Sequence, residues 1–144
     1  LDEHPAQRSL LAERPALLPS AIEEVLRYRS PTQFVFRAAR REVELHGQRI
    51  PAGALVLAVI GAANRDPAQF AQPDVLDLSR EENRHLAFGF GIHQCAGLSL
   101  ARLEGRIAIG RFLARFPHYQ LTASPTRGGR ARFRGFLQAP FRVA

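Results

Sequence analysis

The amino-acid sequence predicts an α+β fold, mainly helical with small β-sheets, and three observations lead there. Apolar residues recur at helical spacing in Leu98, Leu100, Ala101, Leu103, Ile107 and Ala108; several short runs alternate with period two; and residues 66–87 follow neither period. With 144 residues, 46% of them hydrophobic, the chain has the length of one domain and enough apolar side chains for a globular core. A single unit over residues 1–144 is expected, without internal repeats or low-complexity tracts.

In chain order, residues 2–13 mix polar and apolar positions and read as a helix, after which Pro15 and Pro19 punctuate the chain. Ser20 offers an N-cap for a second helix running to about Tyr28, and Pro31 stops it. Residues 33–37 alternate as a strand, residues 43–45 and 48–50 flank a His46-Gly47 turn as a hairpin, and residues 54–60 are a candidate buried strand. The stretch 66–87 has loop texture with short helical pieces, a length that is uncommon unless the loop serves function. Residues 95–116 make the longest helix, ended by Pro117; Arg102 and Arg106 share one of its faces, and Arg111 and Arg115 continue an arginine-rich surface. Residues 119–121 and the last residues read as strands, and residues 133–140 alternate and turn like a hairpin.

Composition narrows the function classes. One cysteine permits no internal disulfide. The longest weakly polar run, 52–63, is too short to cross a bilayer and no signal-peptide pattern opens the chain, so no membrane contact and a cytoplasmic location are expected. Methionine is absent altogether, so Leu1 is not expected to be a translational start, and a preceding region could carry an anchor. The net charge of +7 comes from arginine alone, the side chain that grips phosphate with two parallel hydrogen bonds. Residues 127–136 interleave arginine, glycine and phenylalanine as single-stranded nucleic-acid binders do, which makes an arginine-rich nucleic-acid-binding module the alternative class. The hairpin-like alternation of 133–140 argues against it, and no nucleic-acid partner is expected.

The lone cysteine lies in Phe88-Gly89-Phe90-Gly91-Ile92-His93-Gln94-Cys95-Ala96-Gly97, directly ahead of the long helical pattern. A solitary cysteine is more often a small buried hydrophobe than a ligand. Here its surroundings reverse that reading. Unpaired N–H groups and the positive end of the dipole at a helix start favour a thiolate, and the glycines let the backbone approach a flat cofactor. The pattern is that of an axial metal-ligand loop.

This loop resembles the haem-binding loop of the cytochrome P-450 (haem-thiolate monooxygenase) superfamily, with Cys95 at the proximal ligand position. Two more segments resemble the same family in the same order. Residues 21–28 match its Glu-x-x-Arg helix, with Glu24 and Arg27 spaced to share one helix face; alone, such a pair is usually a solvated contact of little weight. Asn64-Arg65-Asp66-Pro67, then Phe70, Pro73-Asp74, Arg80 and His85-Leu86-Ala87-Phe88, resemble the family's meander into the haem loop.

The resemblance covers essentially the whole chain and implies the C-terminal portion of the cytochrome P-450 fold, bacterial soluble type, with the N-terminal and central helices missing. It implies haem b (iron protoporphyrin IX) with Cys95 as the metal ligand, His93 and Arg37 on the propionates, and Phe88, Gly89, Gly91 and Gly97 as further cofactor-binding positions of the loop. Glu24 and Arg27 become a structural pair in a buried network behind that loop, His85 a loop hydrogen bonder in preference to a further propionate neighbour, and Gln33, Phe34, Val35 and Phe136 substrate-lining positions. The complete protein would use O2 and a ferredoxin or flavodoxin-type electron donor, docked on the basic face of Arg102 and Arg106, to oxygenate a small hydrophobic organic substrate. Because the oxygen-activating half is absent, a piece of a longer monooxygenase or a truncated non-catalytic product is expected, without independent turnover.

Overall fold

The structure, a computed structural model, describes residues 1–143; Ala144, the end of the expected 1–144 unit, lies outside the described residues. Helix α1 (Pro5–Glu13) and helix α2 (Leu18–Tyr28) are joined by a 3₁₀ turn at Pro15–Leu17. Pro5 and Pro19 sit in first turns, where a missing N–H removes no helical bond. Ser20 is not the predicted N-cap. The 3₁₀ turn already carries helical backbone into Leu18, so Ser20 falls inside the first turn, its hydroxyl within hydrogen-bonding distance of the Leu17 and Leu78 carbonyls (2.9 and 2.8 Å).

Strand β1 (Val35–Ala38) leads to the hairpin of β2 (Val43–Leu45) and β3 (Gln48–Ile50), whose His46 and Gly47 both take positive φ, as a two-residue hairpin turn requires. Strand β4 (Leu55–Ala58) returns antiparallel to β1, pairing Arg37 with Val56. The expected buried strand at 54–60 is shorter and exposed. Only Ile60 is buried, and it begins the short helix α3 (Ile60–Ala63), because no second layer covers this two-stranded sheet among the described residues. Residues 66–87 form turns and coil without the expected helical pieces.

Helix α4 (Leu98–Arg115) is the longest element and starts three residues later than expected, because Gly97 is its N-cap; Cys95 therefore precedes the helix. Beyond it, β5 (Gln120–Leu121) pairs with β8 (Phe141–Arg142), and β6 (Thr126–Arg127) pairs with β7 (Phe136–Gln138). Residues 133–140 are thus not a self-paired hairpin: the segment finds its ladder partner upstream, in β6.

The core is Leu11, Ala21, Leu76 and Leu78, with Leu18, Tyr28 and Leu113 packed against it, so α1, α2, α4 and the coil meet there. Helix α2 crosses α4 closely, since a Cβ on Gly110 would stand 2.8 Å from Leu18 Cδ2. Helix α4 fully buries none of its residues, leaving Leu100, Leu103 and Ile107 about half exposed. No helix among the described residues is long and apolar enough to cross a membrane.

Candidate functional site

The cysteine loop is closed by backbone. Gly89 N–H donates to the Leu86 carbonyl (2.8 Å), the Cys95 N–H donates to the Phe88 carbonyl (2.8 Å), and Gly91–His93 make a single 3₁₀ turn between them. Gly89 and Gly91 hold φ near +70°, which a side chain would resist, so the motif's glycines are demanded by the turn itself. The loop presents its side chains outward: Phe90 is 83% and Ile92 97% exposed, and Cys95 and His93 are exposed with them. Cys95 Sγ has no hydrogen-bond partner among the described residues, and a Cβ on Gly97 would lie 3.9 Å from it.

Behind the loop lies a buried polar network. Glu24 and Arg27 are 0% and 1% exposed. Arg27 donates through Nε and Nη2 to both Glu24 oxygens (2.8 Å each), through Nη1 to the carbonyls of Asn64 and Pro73 (2.8 Å each), and through Nη2 to the Val75 carbonyl (3.1 Å). These five bonds use every N–H of the guanidinium, whose carbon also stands 5.1 Å from the centre of the buried Phe70 ring. Glu24 further accepts from Arg80 Nε (3.1 Å), Asn83 Nδ2 (3.1 Å) and the Asp77 N–H (3.0 Å). Asn64, fully buried, donates to Ser30 Oγ and accepts from the Leu86 N–H, both at 2.7 Å. One chain of contacts thus runs from α2 through Arg27 and Asn64 to Leu86, two residues ahead of the cysteine loop.

A second node sits beside it. Glu23 accepts from Arg102 Nε and Nη2 (2.7 Å each), closing a two-pronged pair between α2 and α4, and its Oε2 lies 3.1 Å from His85 Nε2. His85 Nδ1 accepts from the Ala87 N–H (3.1 Å), so Nε2 carries the proton given to Glu23. Burial pulls the His85 pKa below its ordinary value against the opposing charge of Glu23. Burial pushes the Glu23 carboxyl upward, but the Arg102 fork and His85 outweigh it and hold it below the usual range.

The remaining predicted positions spread around the loop and sheets. Arg37 is an exposed β1 residue whose Nη1 donates to the Phe36 carbonyl (2.8 Å), with no carboxylate partner among the described residues. Phe34 packs edge-on against Phe36, centroids 5.4 Å apart, and Gln33 and Val35 are half-buried. A bridge between Thr32 and Phe133, flanked by Gln33 N–H to Arg132 O (2.8 Å) and Arg134 N–H to Pro31 O (2.7 Å), joins the 33–35 segment to the strand leading to Phe136. Phe136 itself is exposed, with the Arg127 guanidinium 4.7 Å from its centroid. Arg106 lines the same recess as Glu23 and Arg102 without a carboxylate partner among the described residues.

Sequence reading passed over Glu23, Asn83 and the buried acceptor role of Asn64. For Glu24 a signal was available: spacing from Ala21 and to Tyr28 places it in the inward stripe of α2, where a charge needs partners. The Glu23 contacts had no such signal, because they join residues 62 and 79 positions apart.

The donor set fits a metal that arrives with its own ligands. No group of three or more His, Cys, Asp or Glu among the described residues could hold a bare ion, and one exposed, unpartnered thiol beside the exposed Phe90 and Ile92 suits a flat apolar macrocycle with one open axial position. The family model for cytochrome P450 matches residues 5–137. The chain belongs to the cytochrome P450 family. It is 50% identical over 119 residues to cytochrome P450 CYP107DY1 of Priestia megaterium (83% of this chain, 29% of that protein), and 49% identical over 119 residues to the biotin biosynthesis cytochrome P450 of Bacillus subtilis (83% and 30%). A β-dihydromenaquinone-9 ω-hydroxylase of Mycobacterium bovis is 45% identical over 138 residues (96% and 28%). The solved P450BioI, in complex with a hexadec-9Z-enoic acid-ligated acyl carrier protein, superposes with a TM-score of 0.97 at 43% identity, covering 100% of this chain and 38% of that one. The chain therefore spans less than a third of the curated relatives' length, and its helices and small sheets are a C-terminal part of the P450 fold. The family is one of oxidoreductases.

Proposed function

We propose that this chain forms the thiolate side of a haem b monooxygenase that oxygenates a small hydrophobic organic substrate. The observation that carries the reading is the exposed Cys95 thiol, unpartnered at the mouth of a glycine-shaped loop that one buried and one partly buried network hold from behind. Cys95 would hold the haem iron through its thiolate, and Phe88, Gly89, Gly91 and Gly97 give the loop its shape. The exposed His93 and Arg37 bind carboxylate substituents of the cofactor as charge-assisted donors. When bound, a cysteinate-ligated haem supplies dioxygen activation, the thiolate's electron donation favouring O–O cleavage.

Gln33, Phe34, Val35 and Phe136 contribute one wall of the substrate space. A ferredoxin or flavodoxin-type donor docks on the arginine face of α4, where Arg106 keeps its charge unneutralised. The chain spans less than a third of its curated relatives' length, and in this reading turnover belongs to the longer protein and the chain alone is inactive. Two of the phenylalanines on which a nucleic-acid base would stack, Phe133 and Phe136, carry the chain's own Arg132 and Arg127, at 5.1 and 4.7 Å, which favours the oxygenase reading over the nucleic-acid one.

The test uses the complete protein with haem, a ferredoxin reductase system, a panel of hydrophobic substrates and isotopically labelled dioxygen. One labelled oxygen in the product, lost with Cys95→Ala, is expected. Product whose oxygen comes only from water, or labelling unchanged in the variant, overturns the reading.

A further inference from the structure

We propose that Arg102 is a positioning residue for the Cys95 loop rather than a docking residue for an electron donor. Its importance for the thiolate rests on the haem-thiolate reading; its hold on the loop does not. Both Nε and Nη2 are committed to Glu23 at 2.7 Å, so the cation is already neutralised, while Arg106 on the same face is not. The guanidinium carbon stands 5.0 Å from the centroid of Phe88, so the cation also rests on an aromatic ring of the loop. Glu23 Oε2, which accepts from Arg102 Nη2, also holds His85 Nε2 at 3.1 Å, and the His85 ring lies 6.1 Å, ring to ring, from Phe88.

One carboxylate therefore joins α2, α4 and the segment 85–88, and the side chain fixed between them is Phe88. The Phe88 carbonyl accepts the Cys95 N–H at 2.8 Å, the backbone bond that closes the loop. Any loosening of Phe88 passes through that single bond to the residue bearing the thiol. The Glu24–Arg27 network reaches the loop independently, through Asn64 and the Leu86 N–H, two residues earlier. Two adjacent glutamates of one helix thus hold two successive points of the approach to Cys95: Glu24 the backbone at Leu86, Glu23 the ring at Phe88.

The experiment compares Arg102→Ala, Arg102→Lys, Glu23→Gln and Arg106→Ala in the complete protein by two readouts that need no protein donor. The first is amide hydrogen exchange over residues 88–95, measured with and without haem; the second is the thiolate-type red-shifted band of the chemically reduced carbon monoxide complex. Arg102→Ala and Glu23→Gln should each speed exchange of the Cys95 amide about tenfold, the scale of a lost charged hydrogen bond. They should also shrink the thiolate band, with the double variant no worse than either single. Arg102→Lys keeps charge without the two-pronged geometry and should show an intermediate effect, which serves if Arg102→Ala does not fold. Arg106→Ala should change neither readout. If exchange and band are wild-type in the Arg102 variants while donor-driven reduction falls, Arg102 is a docking residue and the proposal is overturned. If exchange quickens as expected but the wild-type protein shows no thiolate band, the positioning role stands and the haem-thiolate reading falls.

Discussion

Arg27→Ala separates a buried structural pair from a surface contact by magnitude alone. The substitution removes five hydrogen bonds at once, two to Glu24 and three to the carbonyls of Asn64, Pro73 and Val75, at a site where both charged side chains are at most 1% exposed. Breaking a buried ion pair by deleting one partner costs about 3–5 kcal/mol, whereas an exposed pair is worth roughly 0–1 kcal/mol. Glu24 retains Arg80, Asn83 and the Asp77 N–H, which keeps the estimate at that range rather than above it. The urea m-value, about 1–3 kcal/mol/M for small proteins, rises with chain length, so the midpoint of the complete protein should fall by a readily measured fraction of a molar or more. Arg27→Lys should recover only part of this, since an ammonium has three donors for five acceptor positions. Urea denaturation followed by circular dichroism, with haem content read in parallel, gives the number. A midpoint within error of wild type in Arg27→Ala would refute the buried-network reasoning.

Asn64→Ala removes the acceptor of the Leu86 N–H and the donor to Ser30 Oγ, a loss of about 0.5–1.5 kcal/mol for each hydrogen bond, and differential scanning fluorimetry of the complete protein should show a lowered Tm. Asn64→Asp cannot donate to Ser30 Oγ and should be no milder. Acid should weaken the fold through His85, which Glu23 and Glu24 of α2 and Arg102 of α4 face. Its folded pKa lies below the ordinary value, so the unfolded chain binds more protons and stability falls as pH drops below about 6.5. Glu23, also held low, adds a further loss only below its ordinary value of 4.5. His85→Gln should flatten the midpoint-versus-pH curve just below about pH 6.5; an unchanged slope there would remove His85 from the account.

The order of elements was legible because each rests on local chemistry: the His46-Gly47 turn, the α4 repeat and the stop before Pro31 need no distant partner. What was not legible depends on partners far along the chain. Ser20 lost its cap role to a preceding turn that propensity does not reveal, and residues 136–138 pair with 126–127 rather than with their neighbours. The exposure of β4 and α4 follows from the absence of covering layers among the described residues, a property of the tertiary surroundings and not of their apolar composition. At the candidate site, the motif marked Cys95 and the Glu24–Arg27 spacing marked the pair, but the five-fold use of Arg27 and the Glu23 node joining Arg102 and His85 appear only in three dimensions.

The most direct measurement of the central claim is the absorption spectrum of the chemically reduced carbon monoxide complex of the complete, haem-loaded protein, compared with Cys95→Ala. Thiolate ligation by Cys95 predicts the red-shifted thiolate-type band in wild type and its complete loss in the variant, with His93→Ala retaining it. Persistence of that band in Cys95→Ala would contradict the assignment.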